Sequence, residues 1–342
     1  MGQRIIKTED KTICEHVSDN RFKHCYEGDL TRADLVNQLS QRLAIERRDL
    51  IEKDIILHQL LTDLSEDAFF SDNFIFKGGT CLIKRYYGYK RFSEDIDFTW
   101  RKQAEFEGMS QGKLRKELSA VIDTTGKVVE TAAFRRQWEF RNRKSDKNFI
   151  ELGSSNKFCT FKVWYDSEIL GRKTFFKVQI NFVEMMCYEP TKGLLRSLAT
   201  KRDKELEAIF PEYAEYHRPI SFNTYDLREI LCEKVRATLT RRGVKARDFL
   251  DIYLIYKKYH IKPNDVDACV RKKVKFAIEK YNRFNRNMNS KAELLSSGRL
   301  FDWGTEQGLL LSRINEPDFY RFISSLQGYL KGILHNVAVI RE

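Results

Sequence analysis

The sequence predicts an α+β fold: a mixed sheet flanked by helices in mid-chain, preceded by N-terminal helices and followed by a C-terminal helical lobe. Three observations carry this. Apolar residues recur at helical spacing before residue 70, short aromatic and β-branched runs of strand length fill the middle, and helical spacing returns after Glu189. At 342 residues the chain exceeds the usual size of one domain, so a core with additions is expected. The expected division is an N-terminal helical region over 1–70, the core over 71–190 and a C-terminal helical domain over 191–342.

Thr31-Arg-Ala-Asp34 has the spacing of a helix N-cap followed by an acidic third residue, and Leu35, Leu39, Leu43 and then Ile51 to Leu64 continue a helical period. Residues 31–68 therefore read as two helices. Asn73-Phe-Ile-Phe76 reads as a strand running into the Gly78-Gly79 turn, followed by a short helix through Cys81-Leu-Ile83, Tyr86 and Tyr87. Gly88 to Phe92 is a basic, aromatic connection, and Asp95 to Trp100 alternates like a strand. A helix is expected over 111–130 and strands over 158–165 and 174–183. From Glu189 onward the pattern reads as helical throughout, with helices at 198–209, 226–241, 246–259, 265–282 and 317–334. The five prolines, Pro190, Pro211, Pro219, Pro263 and Pro317, fall between these elements, where a residue that cannot continue a helix belongs.

Composition narrows the function classes. With 42% hydrophobic and 32% charged residues the chain is of ordinary folding type. It contains no run near the roughly 20 apolar residues of a bilayer span, and Met1 to Lys11 is unlike a signal peptide, so no membrane association and a cytoplasmic location are expected. Seven cysteines (Cys14, Cys25, Cys81, Cys159, Cys187, Cys232, Cys269) form no C-x-x-C pair, which points to free buried thiols rather than a disulfide framework or a zinc ribbon. The net charge of +12 favours a polyanionic partner, with nucleic acid first among the choices.

On the strand Asp95–Trp100, alternation places Ser93, Asp95 and Asp97 on one face. Two carboxylates side by side repel unless a cation lies between them, and hard oxygen ligands suit Mg²⁺ carrying the phosphates of a nucleotide. A bare acid pair also occurs on solvated edge strands. Lys77-Gly-Gly-Thr80 adds a second signal, because glycines after a strand and before a helix let backbone amides approach a phosphate closely. In the helix expected at 226–241, Lys234 falls inside the apolar stripe of Leu227, Ile230, Leu231, Val235 and Thr238, so it is expected to meet a carboxylate or a nucleotide phosphate, the alternative being a lysine that snorkels past the helix edge. Asp248 and Asp251 share one face of the next helix. Two basic groups remain: Arg85, Lys90 and Arg91 among Tyr86, Tyr87 and Tyr89, and Arg271-Lys-Lys273 with Lys275, Lys280, Arg283 and Arg286, the latter either an RNA-facing surface or a solvated helix face.

Phe76-Lys-Gly-Gly-Thr80, Arg91-Phe-Ser-Glu-Asp-Ile-Asp-Phe98 and Leu227-Arg-Glu-Ile-Leu-Cys-Glu-Lys234, leading to Lys245-Ala-Arg-Asp-Phe-Leu-Asp251, resemble the AbiEii-type nucleotidyltransferase toxins of the DNA polymerase beta superfamily. The resemblance runs from residue 50 to 260. It implies a polymerase-beta-like core and the toxin half of a toxin–antitoxin pair, transferring a nucleotide from an NTP with Mg²⁺ to RNA, with tRNA as the substrate seen in related enzymes and a cognate antitoxin protein as partner. On this reading Asp95 and Asp97 hold the metal, and Lys77, Gly78, Gly79, Thr80, Arg91 and Ser93 surround the nucleotide. Lys234 neutralises phosphate charge, and Asp248 is a further catalytic candidate by resemblance. There is one departure: the neighbouring strand presents Lys177, Gln179 and Asn181 where the superfamily often has a third carboxylate, so Asp248 or Glu184 substitutes or one metal suffices. A protein or small-molecule acceptor, or an inactive nucleotide- or RNA-binding descendant, are the alternatives.

Overall fold

A computed structural model describes residues 30–339; Cys14 and Cys25 lie outside the described residues. The chain enters through α1 (Arg32–Leu43), where Thr31 and Asp34 form the reciprocal capping box that their spacing predicts. α1 stops at Ala44, whose φ of 53° is left-handed, and α2 (Arg48–Glu66) follows. Asp67 accepts a hydrogen bond from the Phe70 amide at 2.8 Å, starting the short α3 (Ala68–Asn73) that feeds directly into β1 (Phe74–Lys77). After β1 comes α4 (Gly78–Cys81), continued by wide π-type turns over Leu82–Tyr87, and then β2 (Asp95–Trp100). α5 (Gln111–Arg135) leads to β3 (Ile150–Gly153), β4 (Phe158–Ser167) and β5 (Arg172–Asn181).

The expectation of helix from Glu189 onward is overturned by two strands, β6 (Thr191–Leu195) and β7 (Ile220–Thr224), with α6 (Lys204–Ile209) and α7 (Pro211–His217) between them. β6 is an edge strand reading Thr-Lys-Gly-Leu-Leu, and an edge exposed on one face needs little apolar pattern to be recognised by. β7 did carry a signal: Ile220, Phe222 and Thr224 are buried while Ser221 is exposed, a period of two directly after Pro219. The helix expected over 198–209 begins only at Lys204. There the Asp203 carboxylate accepts from the Glu205 and Leu206 amides, both at 3.1 Å, and fixes the start.

Among the described residues, seven strands form one mixed sheet in the order β3-β4-β5-β2-β1-β7-β6. β1 is antiparallel to β2 and parallel to β7, and β2 is parallel to β5. This register fixes the site: Lys77 lies opposite Asp97, and Asp95 and Asp97 lie beside Lys177 and Gln179. The remaining helices are α8 (Leu227–Thr240), α9 (Ala246–Tyr259), α10 (Asp267–Lys280), α11 (Asn282–Ser296) and α12 (Glu316–Val339). One core runs through the sheet and these helices. A second cluster, with Leu35, Leu39, Ile51, Phe92, Leu206 and Tyr216, joins α1 and α2 to α6 and α7. Among the described residues the five cysteines are free thiols, four buried and Cys187 half-buried. Cys187, Glu229 and Cys269 bring ligand atoms within 4.8 Å, yet Glu229 is already engaged by Lys273 at 2.5 Å and by the Cys187 and Tyr188 amides, both at 2.9 Å. Among the described residues no helix is long and apolar enough to cross a membrane.

Candidate active site

At the C-terminal end of β1 the chain must turn sharply without a side chain in the way. Gly78 has φ +78°, and a Cβ there would collide with the Asp97 carboxylate, so glycine is required both for the turn and for the close approach of β2. A Cβ on Gly79 would stand 2.7 Å from the Arg91 guanidinium and 3.3 Å from Ser93 Oγ. The helix that starts here has no side-chain cap, and Gly78 and Gly79 line a cleft of ≈310 Å³ with Asp95, Asp97 and Lys234. Uncapped amides at a helix start carry partial positive charge into that cleft.

Asp95 and Asp97 make no side-chain hydrogen bond and no ion pair among the described residues. Burial pushes both carboxyls above the ordinary carboxylate range. Lys177 opposes this at Asp95; at Asp97 Lys77 opposes it while Asp95 adds to it. Two half-buried carboxylates that share a face, point into a cleft and lack a cation of their own form a donor set that fits a hard divalent ion.

Opposite them stands α8. Ile230, Lys234, Ala237 and Arg241 all line the cleft at i, i+4, i+7 and i+11, one face of the helix. Lys234 Nζ bridges Asp248 Oδ1 at 2.9 Å and Asp251 Oδ2 at 2.7 Å, which supplies the counter-charge that its place in an apolar stripe demands. Asp248 also meets Arg241 at 2.5 Å. Asp251 takes the fork of Arg91 at 2.8 and 2.7 Å and the Tyr87 hydroxyl at 2.6 Å. Burial alone would raise both acids, but Lys234 and Arg241 outweigh it at Asp248, and Arg91 and Lys234 outweigh it at Asp251, so both carboxyls are held below the usual range.

The other residues singled out by sequence divide into two groups. Lys77, Ser93 and Arg91 line the cleft, but the Arg91 guanidinium, 1% exposed, is committed to Asp251 and Lys77 Nζ to Glu184. Thr80 is buried, its hydroxyl donating to the Asp95 carbonyl and accepting from Ser93 Oγ, so it braces the turn against β2. Glu184 Oε2 accepts from Lys77, from Thr99 at 2.7 Å and from Tyr225 at 2.9 Å. The tyrosines near the turn point inward: Tyr86 donates to the Tyr225 carbonyl at 2.5 Å and Tyr89 to Asp54 at 2.8 Å. Of the basic run after Arg271, Lys273 is buried between Glu229 and Glu233 at 2.5 and 2.7 Å rather than facing solvent. Sequence reasoning missed Glu233, Arg236, Arg241 and Arg247, which also line the cleft. For Arg241 the signal was available, since it repeats the spacing of Lys234 along α8.

Residues 59–316 match the family described as nucleotidyl transferase AbiEii toxin, type IV TA system. None of the curated proteins matches the chain. Among solved structures it is similar to MenT4, a nucleotidyltransferase toxin from Mycobacterium tuberculosis H37Rv, at 17% identity and a TM-score of 0.43 over 87% of this chain and 88% of that one. It is also similar to JHP933 from Helicobacter pylori at 14% identity and a TM-score of 0.39, over 86% and 98% of the two chains. A putative nucleotidyltransferase from H. pylori is similar at 14% identity and a TM-score of 0.43, over 84% and 97%. With the family match spanning most of its length, the chain belongs to the AbiEii nucleotidyltransferase toxins of type IV toxin–antitoxin systems.

Proposed function

We propose that this toxin transfers a nucleoside monophosphate from an NTP to a hydroxyl of RNA, with tRNA as the acceptor, Mg²⁺ as the metal and pyrophosphate as the product. One observation carries the reading: two carboxylates without an internal cation stand beside an uncapped Gly-Gly helix start and face a helix that presents Lys234 and Arg241. Asp95 and Asp97 would hold Mg²⁺, which supplies Lewis-acid polarisation of the phosphate oxygens. The Gly78 and Gly79 amides receive phosphate oxygens, and Lys234 adds a fixed positive charge where negative charge builds up on the transferring group. The acceptor hydroxyl oxygen bonds to the α-phosphorus as the bond to the leaving pyrophosphate breaks, and the hydroxyl proton passes to water.

The pairing of Asp248 supports a positioning part for it. A carboxylate held ionised by Lys234 and Arg241 is a weak proton acceptor, so Asp248 serves to position Lys234 rather than to activate the hydroxyl. The Glu184 oxygen that accepts from Lys77, Thr99 and Tyr225 is likewise engaged within the chain, which leaves Asp95 and Asp97 as the acids of the cleft open to a metal. The net charge of +12 supports a polyanionic acceptor, and family membership supports a neutralising antitoxin partner. The test is incubation of the protein with each labelled NTP, total cellular RNA and Mg²⁺. Label in the tRNA band, lost on chelation, is expected; label in protein or small molecules alone overturns the RNA assignment.

A further inference from the structure

A second cavity of ≈200 Å³ adjoins the catalytic cleft, and Phe158, Asn181, Glu184, Glu233 and Arg236 line both. Its far wall is the junction of α10 and α11, where Tyr281 takes an extended conformation (φ −141°, ψ 103°) that separates the two helices. This break presents Phe276, Tyr281, Arg283 and Phe284 to the cavity. The Tyr281 and Phe284 rings meet edge to face at 5.4 Å, and the Arg283 guanidinium lies 5.5 and 5.0 Å from their centres. Across from them Phe158 on β4 is 37% exposed, while Phe276, Tyr281 and Phe284 are half-buried. Arg283 has no carboxylate partner among the described residues, unlike Arg236, which is paired with Glu233 at 2.8 Å.

Four partly exposed aromatic rings around a concavity, with a guanidinium that no carboxylate among the described residues neutralises, are the components of a site for a flat, polarisable ring attached to an anion. We propose that this cavity is a nucleobase subsite, in which a base stacks on Phe158 and the Tyr281–Phe284 pair while Arg283 holds the adjoining phosphate. The base comes either from the incoming nucleotide or from the end of the acceptor strand, both of which must reach the cleft that shares this wall. The inference rests on the nucleotidyl-transfer reading above and adds to it where a base is gripped.

The test uses the full chain and two fluorescent probes, 2-aminopurine riboside triphosphate and a single-stranded oligoribonucleotide ending in 2-aminopurine, whose emission is quenched on stacking. Quenching of at least one probe by the wild type is expected, with affinity falling about tenfold in Phe158→Ala and in Phe284→Ala and recovering in Phe284→Trp. Loss confined to the triphosphate assigns the base to the incoming nucleotide, and loss confined to the oligonucleotide assigns it to the acceptor. Both alanine variants binding both probes within twofold of wild type, with native circular dichroism, overturn the subsite. A transfer assay on the wild type runs alongside: probe binding that depends on Phe158 and Phe284 without any transfer would sink the activity and leave the subsite standing.

Discussion

Two pairs of acids live under opposite electrostatics: Asp95 and Asp97 line the cleft, while Asp248 lines it beside the fully buried Asp251. Asp248 and Asp251 are saturated by Lys234, Arg241 and Arg91, and their carboxyls are held low; Asp95 and Asp97 make no ion pair among the described residues, and theirs are raised. Burial acts on all four in the same direction, so the difference comes from the partners. It teaches how to separate an acid that organises the protein from one that awaits a ligand: the first has its counter-charge in the chain, the second must receive it from outside.

The comparison breaks first at Asp251. Asp251→Asn leaves the 1% exposed Arg91 without its counter-charge, and stability should fall by about 3–5 kcal/mol in denaturant unfolding, as for a buried pair that loses one partner. A loss under about 1 kcal/mol would mean that Arg91 and Lys234 find other partners and that the pair does not organise the site.

Asp97→Asn probes the other pair. Transfer should drop by roughly a hundredfold or more because a metal donor is removed, while the metal-free protein stays folded and is stabilised at neutral pH. Added Mg²⁺ should raise the melting temperature of the wild type only. Equal stabilisation of both proteins would place the ion elsewhere.

Lys234→Ala tests the bridge between the two regions. Turnover at saturating NTP should fall roughly 10²-fold, and stability should fall too, because Asp248 and Asp251 each lose a cation at 2.9 and 2.7 Å. Full turnover in a destabilised variant would reduce Lys234 to a structural pin.

The smallest effect is the sharpest, because its sign differs between the pairs. Asp248 and Asp251 have lowered carboxyls, so their contribution is present above the unfolded value near 3.8 and fades as pH falls below it. Asp95 and Asp97 have raised carboxyls, so their contribution is present below 3.8 and is lost as pH rises through the higher folded value. Without Mg²⁺, the stability gain of Asp97→Asn over wild type should therefore grow from about nil below pH 3.8 to a plateau at neutral pH. The deficit of Asp251→Asn should shrink as pH drops below 3.8. Parallel pH profiles for the two variants would erase the distinction.

Much of this was written locally in the chain. Alternation set Asp95 and Asp97 on one face, the Gly78-Gly79 pair marked the turn, the capping box started α1, and an apolar stripe around Lys234 demanded a counter-charge. Each depends on neighbours within one or two turns or on the period of a single element. What depended on distant segments was decided only by the tertiary structure. The alternation of β7 was local, but its place beside β1, and that of the edge strand β6 beside β7, were set by pairing between distant segments. Arg91, Lys77 and Thr80 have the residue types of a phosphate site, yet Asp251, Glu184 and the Asp95 carbonyl, from elsewhere in the chain, claim them. A side chain's type sets what it can bind, but which partner reaches it first, and whether any charge is left over for a ligand, is fixed by packing between elements far apart in sequence.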